Sequence, residues 1–248
     1  MSLGYQVSPS LSPEQSAAVG KILRSRDFIT LFRGGAGTGK SFTLKEVERG
    51  LAAAKRPVVV LAPQRQQVQD LQADGLAGNT LAHFLKQNQL AQDAVVIVDE
   101  AGQVGARQLA ELIRVVRASH GRLILSGDTR QHGAVAASDA LRVIEKHAGL
   151  KPAVLRTIRR QDPNLGETPG QRAFIRAYRR AVKAAAEGRI DASFDALDRL
   201  GCIREAGEDR HHLLAAEYLA AVERDEKALV VAQTREEVHA PHRASTGD

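Results

Sequence analysis

A glycine-rich segment, Gly34–Ser41, constrains the fold of this chain more than any other feature. Its letters, GGAGTGKS, fit the pattern G-x-x-x-x-G-K-[ST]. An apolar run predicts a strand at Phe28–Phe32 just before it, and a helical pattern begins at Lys40. Glycines in such a loop let backbone N–H groups crowd around an anion at the positive end of the helix. The segment therefore predicts a phosphate-binding loop between a strand and a helix.

Two side chains of this loop carry the predicted chemistry. The Lys40 ammonium would reach the terminal phosphates of a nucleotide, and the Ser41 hydroxyl would ligate Mg²⁺. The alternative, a glycine-rich turn that only caps a helix, is disfavoured by the strand and the helix that flank the loop. The residues predicted to cradle the nucleotide are Gly35, Ala36, Gly37, Thr38, Gly39, Lys40 and Ser41.

Short apolar runs alternate with helical patterns through the first half of the 248 residues. The runs lack polar alternation, which is typical of parallel strands that helices cover on both faces. We therefore predict an α/β fold built on a parallel sheet. The predicted strands are Phe28–Phe32, Val58–Ala62, Val95–Val98 and Leu123–Ser126.

The pattern changes from about Lys151 onward. A stretch with two prolines and two glycines, Asp162–Gly170, predicts a loop. We expect a first domain over residues 1–150 and part of a second over residues 151–248. The elements predicted after the loop are helices at Gln171–Glu187, Ala192–Leu200 and Asp209–Val222, and a strand at Ala228–Ala232.

Charge and composition exclude several classes of protein. The chain has 35 Lys+Arg against 29 Asp+Glu, a formal charge of +6, which permits a nucleic-acid partner without establishing one. A single cysteine, Cys202, rules out an internal disulfide. The apolar runs are far shorter than the roughly 20 residues that span a bilayer. The first residues show no signal peptide, so we expect a cytoplasmic protein without a membrane span. We also expect the chain to be a monomer.

Two carboxylates, Asp99 and Glu100, directly follow the apolar run Val95–Val98. In a parallel α/β sheet the carboxyl end of this strand would lie near the phosphate loop. Asp99 is then predicted to hold Mg²⁺ through water, and Glu100 to orient or deprotonate the attacking water. An acidic pair after a strand is by itself usually a solvated strand end. Its position about 60 residues after the phosphate loop favours the catalytic role.

The last predicted strand of the first half leads into SGDTRQ, residues 126–131. Gln131 carries both a donor and an acceptor, so it can sense the γ-phosphate or the attacking water. Without the other motifs, a surface turn would be the simpler interpretation of this segment.

Taken in order, these segments resemble the superfamily-1 helicases of the 5′→3′ class. The match is nearest to the helicase region of conjugative relaxases of the TraI, TrwC and TraA type, with RecD-like helicases as relatives. It runs from about Leu11 to Val238, nearly the whole chain. The resemblance implies a RecA-like P-loop NTPase domain that uses ATP and Mg²⁺. It also implies single-stranded DNA as a partner, with other conjugation or repair proteins as further partners.

The remaining motifs of the resemblance name further site residues. LSPEQSAAV at residues 11–19 resembles the Q motif, in which Gln15 would read the adenine edge. LRTIRRQ at residues 155–161 resembles the segment that delivers an arginine to the γ-phosphate, with Arg160 as the candidate and Arg159 as the alternative. LAPQR at residues 61–65 and NTLAHFL at residues 79–85 resemble DNA-contact motifs, which implies DNA-binding roles for Pro63, Arg65, Thr80 and His83.

Each of these motifs also has a purely structural interpretation. Gln15 would be an ordinary residue of a helix start, Pro63 a strand terminator and Thr80 a helix N-cap. The arginines around residue 160 would be a solvated basic patch, and Phe84 would be a core residue rather than a base-stacking one. The order of the motifs along one chain favours the functional set. Its predicted catalytic members are Lys40, Glu100, Gln131 and Arg160.

The chain departs from the family after residue 238. Family members complete a second RecA-like domain there, whereas HAPHRASTGD at residues 239–248 does not resemble its continuation. We therefore expect ATP binding to be retained and unwinding to be lost. One alternative is a single-stranded-DNA-binding or partner-docking module with a vestigial ATPase, and another is a fragment of a RecD-like repair helicase. A P-loop kinase or other small NTPase would leave Gln15 and the segments at 127–131 and 160–161 unexplained.

Overall fold

A computed structural model describes residues 5–35, 37–127, 140–157, 159, 167–207, 209–225 and 228–231. The chain divides into two compact units, Met1–Asp162 and Pro163–Asp248. The helices of the first unit are α1 (Pro13–Arg24), α2 (Lys40–Ala53), α3 (Arg65–Ala73), α4 (Leu81–Gln87), α5 (Ala106–Ala118) and α6 (Ala140–His147). Its strands are β1 (Ile29–Gly34), β2 (Val58–Ala62), β3 (Gly78–Thr80), β4 (Val95–Val98), β5 (Arg122–Gly127) and β6 (Ala153–Leu155).

The six strands form one sheet in the order β3-β2-β4-β5-β1-β6, and every neighbouring pair is parallel. The α/β fold with a parallel sheet is therefore confirmed, and the arrangement is that of a RecA-like P-loop domain. The predicted bounds of β2 and β4 match the observed bounds. β3 and β6 were not predicted, because three residues are too few for a hydrophobic pattern to emerge.

Helices cover both faces of the sheet and bury two separate cores, as the unbroken apolar strands predict. Val95 and Ile97 of β4 point into the core packed against α1, α2 and α3. Val96 and Val98 point the other way, into the core packed against α4, α5 and α6. Successive side chains of a strand alternate between faces, so one short run supplies both cores. The result is a sheet that is packed on both faces, with the phosphate loop and the Glu100 turn at the carboxyl ends of its strands.

The second unit contains helices α7 (Pro169–Ala186), α8 (Ile190–Arg199) and α9 (Arg210–Glu223), close to the three predicted helices. Two predictions for this region were wrong. Pro169 and Gly170 open α7 rather than belonging to the loop, because Thr168 caps that helix and proline is favoured in its first turn. Ala228–Val231, the described part of the predicted last strand, forms no strand. A strand is stable only with hydrogen-bonded neighbours, and within the described part of the chain no strand pairs with residues 228–231.

The first unit also extends further than the expected boundary at residue 150. Strand β6 pairs with β1, with Phe32 opposite Ala153, and so belongs to the first sheet. The division falls after Asp162 instead. The described residues of the predicted arginine motif, 155–157 and 159, consequently lie in the first unit. Among the residues that the structure describes, no helix has the length and apolar character needed to cross a membrane.

The segment before α1 is fastened to the helix that follows the phosphate loop. The buried Glu46 carboxylate of α2 accepts hydrogen bonds from Tyr5 Oη (2.7 Å), the backbone N–H of Ser8 (2.7 Å) and Arg49 Nη2 (2.8 Å). Burial alone would raise the pKa of Glu46, but these donors outweigh it and hold the pKa below its ordinary value. The ionised carboxylate is therefore a stabilising feature of this unit.

We expect Glu46→Gln to lower the free energy of unfolding by about 1–3 kcal/mol near pH 7. Because the pKa of Glu46 is lower in the folded than in the unfolded chain, its contribution exists above the unfolded value of about 4.3. That contribution is lost as the pH falls through the folded pKa. Urea unfolding of the variant and the wild type from pH 7 to pH 3 should show the difference shrinking on acidification. Glu48→Gln, on the same helix, is the control, and a difference independent of pH would contradict the assignment.

Candidate active site

The predicted phosphate loop lies between β1 and α2 and has no room for larger side chains at two glycines. A Cβ on Gly34 would lie 2.7 Å from Thr38 Oγ1 and 2.9 Å from Lys40 Cγ. Gly39 has a φ of +83° and precedes α2, where a Cβ would lie 2.6 Å from Gln15 Nε2. Glycine adopts this left-handed conformation at little cost. The loop is thus a tight cradle of backbone at a helix N-terminus, which fits a phosphate group.

Lys40 and Glu100 meet in this cradle, although 60 residues separate them. Lys40 Nζ lies 2.7 Å from Glu100 Oε1, and the two side chains are 10% and 25% exposed. Glu100 has a φ of +48°, in the left-handed region, and lies two residues after Val98, where β4 ends. This sharp turn is uncommon for a residue with a side chain. The structure therefore brings together the predicted phosphate-binding lysine and the predicted base.

Asp99 is 7% exposed and accepts a hydrogen bond from Ser126 Oγ at 2.8 Å. Burial raises the pKa of Asp99, and the positive charge of Lys40 opposes this rise. Ser126 is completely buried and was not predicted as a site residue. The pairing of Val98 with Leu125 places Ser126 beside Asp99, so only the strand order could have identified it. A buried carboxylate held on one oxygen is suited to an oxygen-seeking cation.

Lys40, Asp99 and Glu100 line one cavity of about 860 Å³. Phe42 and Lys45 of α2 also line it, as do residues of α3, among them Gln67 and Asp70. Within the described part of the chain, no group of three or more His, Cys, Asp or Glu residues could hold a metal ion. A cation here would instead use a hydroxyl and a single carboxylate. The predicted site residues that line the cavity are Gly35, Gly37, Gly39, Lys40, Ser41, Asp99 and Glu100.

Gln15 lies next to the phosphate loop, and it also takes part in the N-terminal cap of α1. Its side-chain oxygen accepts hydrogen bonds from the backbone N–H (3.0 Å) and the hydroxyl (3.2 Å) of Ser12. The backbone N–H of Gln15 in turn donates to Ser12 Oγ at 3.2 Å, which completes a capping box. The structural interpretation of Gln15 is thus observed, and adenine recognition stays a prediction. Ala36, Gln131 and Arg160 lie outside the described residues.

Arg159 reaches the cavity from the segment after β6. Its backbone N–H donates to the Gly37 carbonyl of the phosphate loop at 2.6 Å, and the residue lines the cavity. Glu14 holds the same segment, accepting from the backbone N–H groups of Arg156 (2.8 Å) and Thr157 (3.2 Å). Burial would raise the pKa of Glu14, but these donors hold it below its ordinary value. Neither contact was predicted, because both depend on β6 joining the sheet.

The predicted DNA-binding residues follow two neighbouring strands. Pro63 follows β2 and Thr80 ends β3, and Ala62 lies opposite Thr80 in the register of the pair. Arg65 and His83, in the first turns of α3 and α4, are exposed. Thr80 Oγ1 accepts from the His83 backbone N–H at 3.3 Å and so also caps α4, as its structural interpretation holds.

Phe84 is 4% exposed and packs in the second core. It is therefore a core residue rather than a base-stacking one.

Comparisons with known proteins identify a family and several relatives that this chain resembles. The family model described as AAA domain matches residues 10–208. The multifunctional conjugation protein TraI of Escherichia coli K12 is 31% identical over 175 residues, which are 65% of this chain and 10% of TraI. The probable conjugal transfer protein TraA of Sinorhizobium fredii is 31% identical over 157 residues, 61% of this chain and 14% of TraA. Among solved structures, the Pif1 helicase of Candida albicans has a TM-score of 0.47 at 19% identity, covering 69% of this chain and 44% of Pif1.

The chain therefore spans about a tenth of the length of TraI and a seventh of the length of TraA. The predicted resemblance to conjugative relaxases of the TraI and TraA type is confirmed. Because the family model matches most of the chain, including the phosphate loop and the Asp99–Glu100 pair, the chain belongs to the AAA domain family.

Proposed function

We propose that the chain is an ATP-binding and ATP-hydrolysing motor domain of an ATP-dependent DNA helicase of the conjugative-relaxase type. The observation that carries this proposal is the Lys40–Glu100 pair inside the phosphate-loop cavity, with buried Asp99 beside it. A merely structural glycine turn would need neither the lysine nor two carboxylates from a distant strand. The second unit, from Pro163, would be the beginning of a second motor domain.

The phosphates of ATP would bind the backbone N–H groups between Gly35 and Ser41. Their negative charge would replace Glu100 as the partner of the Lys40 ammonium, since both compete for the same donor. Ser41 and Asp99 would hold Mg²⁺, which neutralises phosphate charge when it is bound. Binding of ATP would in this way release Glu100 from its ion pair.

Once released, the Glu100 carboxylate would orient the attacking water and accept its proton. The Asp99 carboxylate, which accepts a hydrogen bond from Ser126, would stay in place during this step. Gln131 and Arg160 remain the predicted residues for sensing the γ-phosphate and stabilising its charge. Arg159 is a further cation at the cavity, because its backbone is fastened to the phosphate loop at Gly37.

Single-stranded DNA would lie along the carboxyl ends of β2 and β3, near Pro63, Arg65, Thr80 and His83. This edge of the sheet also carries the turn at Glu100, since β2 pairs with β4 in parallel. Arg65 is the cation of this set, and it would contact phosphates without sequence preference. The DNA site and the ATP site would therefore share one edge of one sheet.

Two measurements on the unmodified chain test the proposal. Titration calorimetry with MgATP should show binding in the micromolar to millimolar range typical of enzyme substrates. An ATPase assay with and without oligo(dT) should then show that single-stranded DNA raises the hydrolysis rate. Binding of DNA without any ATP binding would replace the motor assignment with a DNA-binding module, and ATP hydrolysis that is indifferent to DNA would favour a small NTPase.

A further inference from the structure

Three glutamine side chains join the start of α3 to the turn that carries Glu100. Gln103 Oε1 accepts hydrogen bonds from Gln64 Nε2 and from Gln67 Nε2, both at 2.9 Å. Gln67 Oε1 accepts from the backbone N–H of Gln64 at 3.1 Å. Gln103 Oε1 thus binds two side chains from the N-terminus of α3, those of Gln64 and Gln67. We refer to Gln64, Gln67 and Gln103 as the glutamine triad.

The triad is continuous with the proposed ATP site. The backbone N–H of Gln103 donates to the Glu100 carbonyl at 2.9 Å, within the short 3₁₀ turn Ala101–Gln103. The Glu100 side chain in turn meets Lys40 Nζ. Hydrogen bonds at both ends of Glu100 and of Gln103, joined by the covalent bonds of these two residues, therefore connect the phosphate-loop lysine to the first residues of α3.

The other end of the triad lies within the predicted DNA-contact segment. Gln64 stands between Pro63 and Arg65, two residues proposed to contact single-stranded DNA. Gln64 is exposed, so DNA on this segment would touch it or its immediate neighbours. Any displacement of the α3 N-terminus would move Gln64 Nε2 and Gln67 Nε2, the two donors to Gln103 Oε1.

The packing of α3 does not require these hydrogen bonds. Val68 and Leu71 anchor the helix in the first core with exposures of 7% and 2%. Gln67 and Gln103 are only half-buried, where hydrogen bonds exchange readily with water and add little net stability. The triad does join the Glu100 turn to α3 through hydrogen bonds. That turn holds a left-handed, non-glycine residue, a conformation that persists only while its surroundings enforce it.

We propose that Gln103 is a positioning residue that couples single-stranded DNA at the start of α3 to the Lys40–Glu100 pair. The inference rests on the proposed function and adds the route by which the two ligands communicate. DNA on Pro63 and Arg65 shifts the two donors, Gln103 follows, and the Glu100 turn moves away from Lys40. Lys40 then becomes available to phosphate. DNA and nucleotide consequently strengthen each other's binding, and thermodynamic linkage requires the same factor in both directions.

The experiment measures this factor without requiring hydrolysis. Fluorescence anisotropy gives the Kd of labelled oligo(dT), first alone and then with Mg²⁺ and a saturating non-hydrolysable ATP analogue. In the wild type we expect the analogue to tighten DNA binding about 5- to 150-fold, the usual range of coupling. In Gln103→Met, which keeps the side-chain length but removes the acceptor, the factor should fall below about twofold.

Two further variants separate coupling from a general structural effect. Gln103→Glu retains an oxygen that can accept from both Gln64 and Gln67, so it should restore most of the coupling. Gln66→Met is the matched control, because Gln66 lies in the same turn of α3 but donates to Asp70 at 3.2 Å and not to the triad. It should keep the wild-type factor. All four proteins should melt at similar temperatures, since the triad adds little stability.

The outcomes distinguish the inference from the proposed function. If the wild type binds both ligands with strong coupling and Gln103→Met keeps that coupling, the route through Gln103 is wrong while the motor assignment stands. If the wild type binds both ligands but neither changes the affinity for the other, the inference is also wrong, and the motor assignment still stands. If the wild type binds neither ligand, both the inference and the proposed function fail.

Discussion

Replacing Lys40 with alanine is expected to lower the affinity of the chain for MgATP at least a hundredfold. The Lys40 side chain is 10% exposed and is held at the phosphate loop, so its ammonium would meet the phosphates with little competing water. The substitution also leaves Glu100 without its partner and facing the phosphate charge. Repulsion therefore adds to the lost attraction. A hundredfold loss corresponds to about 2.8 kcal/mol of binding free energy.

Titration calorimetry with MgATP measures this loss, and Lys45→Ala is its matched control. Lys45 lines the same cavity from the same helix, but its ammonium donates to the Asp74 carbonyl at 3.0 Å. The control should stay within about threefold of the wild type, because removal of an exposed charge usually has a small effect. Equal affinities for Lys40→Ala and the wild type would contradict the phosphate-loop assignment.

The parts of the fold that followed from local pattern could be predicted from the sequence. The unbroken apolar runs identified four strands, and the bounds of β2 and β4 agree with the structure. The glycine motif placed the start of α2 at Lys40. Each of these inferences depends on residues that are neighbours along the chain. Local sequence is informative there because the constraint itself is local.

The missed features depend on which strands are neighbours in the sheet. Ser126 holds Asp99 only because β5 lies beside β4. Glu14 and Arg159 meet their partners only because the three-residue β6 adds an edge to the sheet. No spacing in the sequence carries this information, since the contacts join residues 27 to 142 positions apart. A sequence argument would need the strand order first.

The start of α7 shows a different kind of error. Two prolines and two glycines favoured a loop through residue 170, but Thr168 accepts from the Gln171 backbone N–H at 3.1 Å and caps the helix. The Gln171 side chain completes a capping box by accepting from the Thr168 backbone N–H at 3.1 Å. This signal was present in the sequence as T-P-G-Q. The prolines and glycines of this segment led to the loop prediction instead. Proline is nevertheless favoured in the first turn of a helix, because the N–H that it lacks would have no partner within the helix there.

Glu100→Gln is expected to abolish ATP hydrolysis while sparing ATP binding. Loss of a general base typically slows the chemical step by 10²- to 10⁴-fold. The amide cannot accept the water proton, but it keeps the size of the side chain in its left-handed turn. The variant also removes the negative charge that holds Lys40 at 2.7 Å. Lys40 is then freed for phosphate, so the affinity for MgATP should equal or exceed that of the wild type.

Single-turnover hydrolysis in the presence of oligo(dT), together with calorimetry, separates these two effects. Asp70→Asn is the control, because Asp70 is another carboxylate that lines the cavity but is not placed at Lys40. Its hydrolysis rate should remain within a few-fold of the wild type. Wild-type hydrolysis in Glu100→Gln would mean that another group activates water. A loss of affinity as large as that of Lys40→Ala would mean that Glu100 supports the loop itself. Our proposal for Glu100 requires that the variant still binds MgATP but no longer hydrolyses it. In that proposal the carboxylate pairs with Lys40 before ATP binds and accepts the proton of the attacking water afterwards.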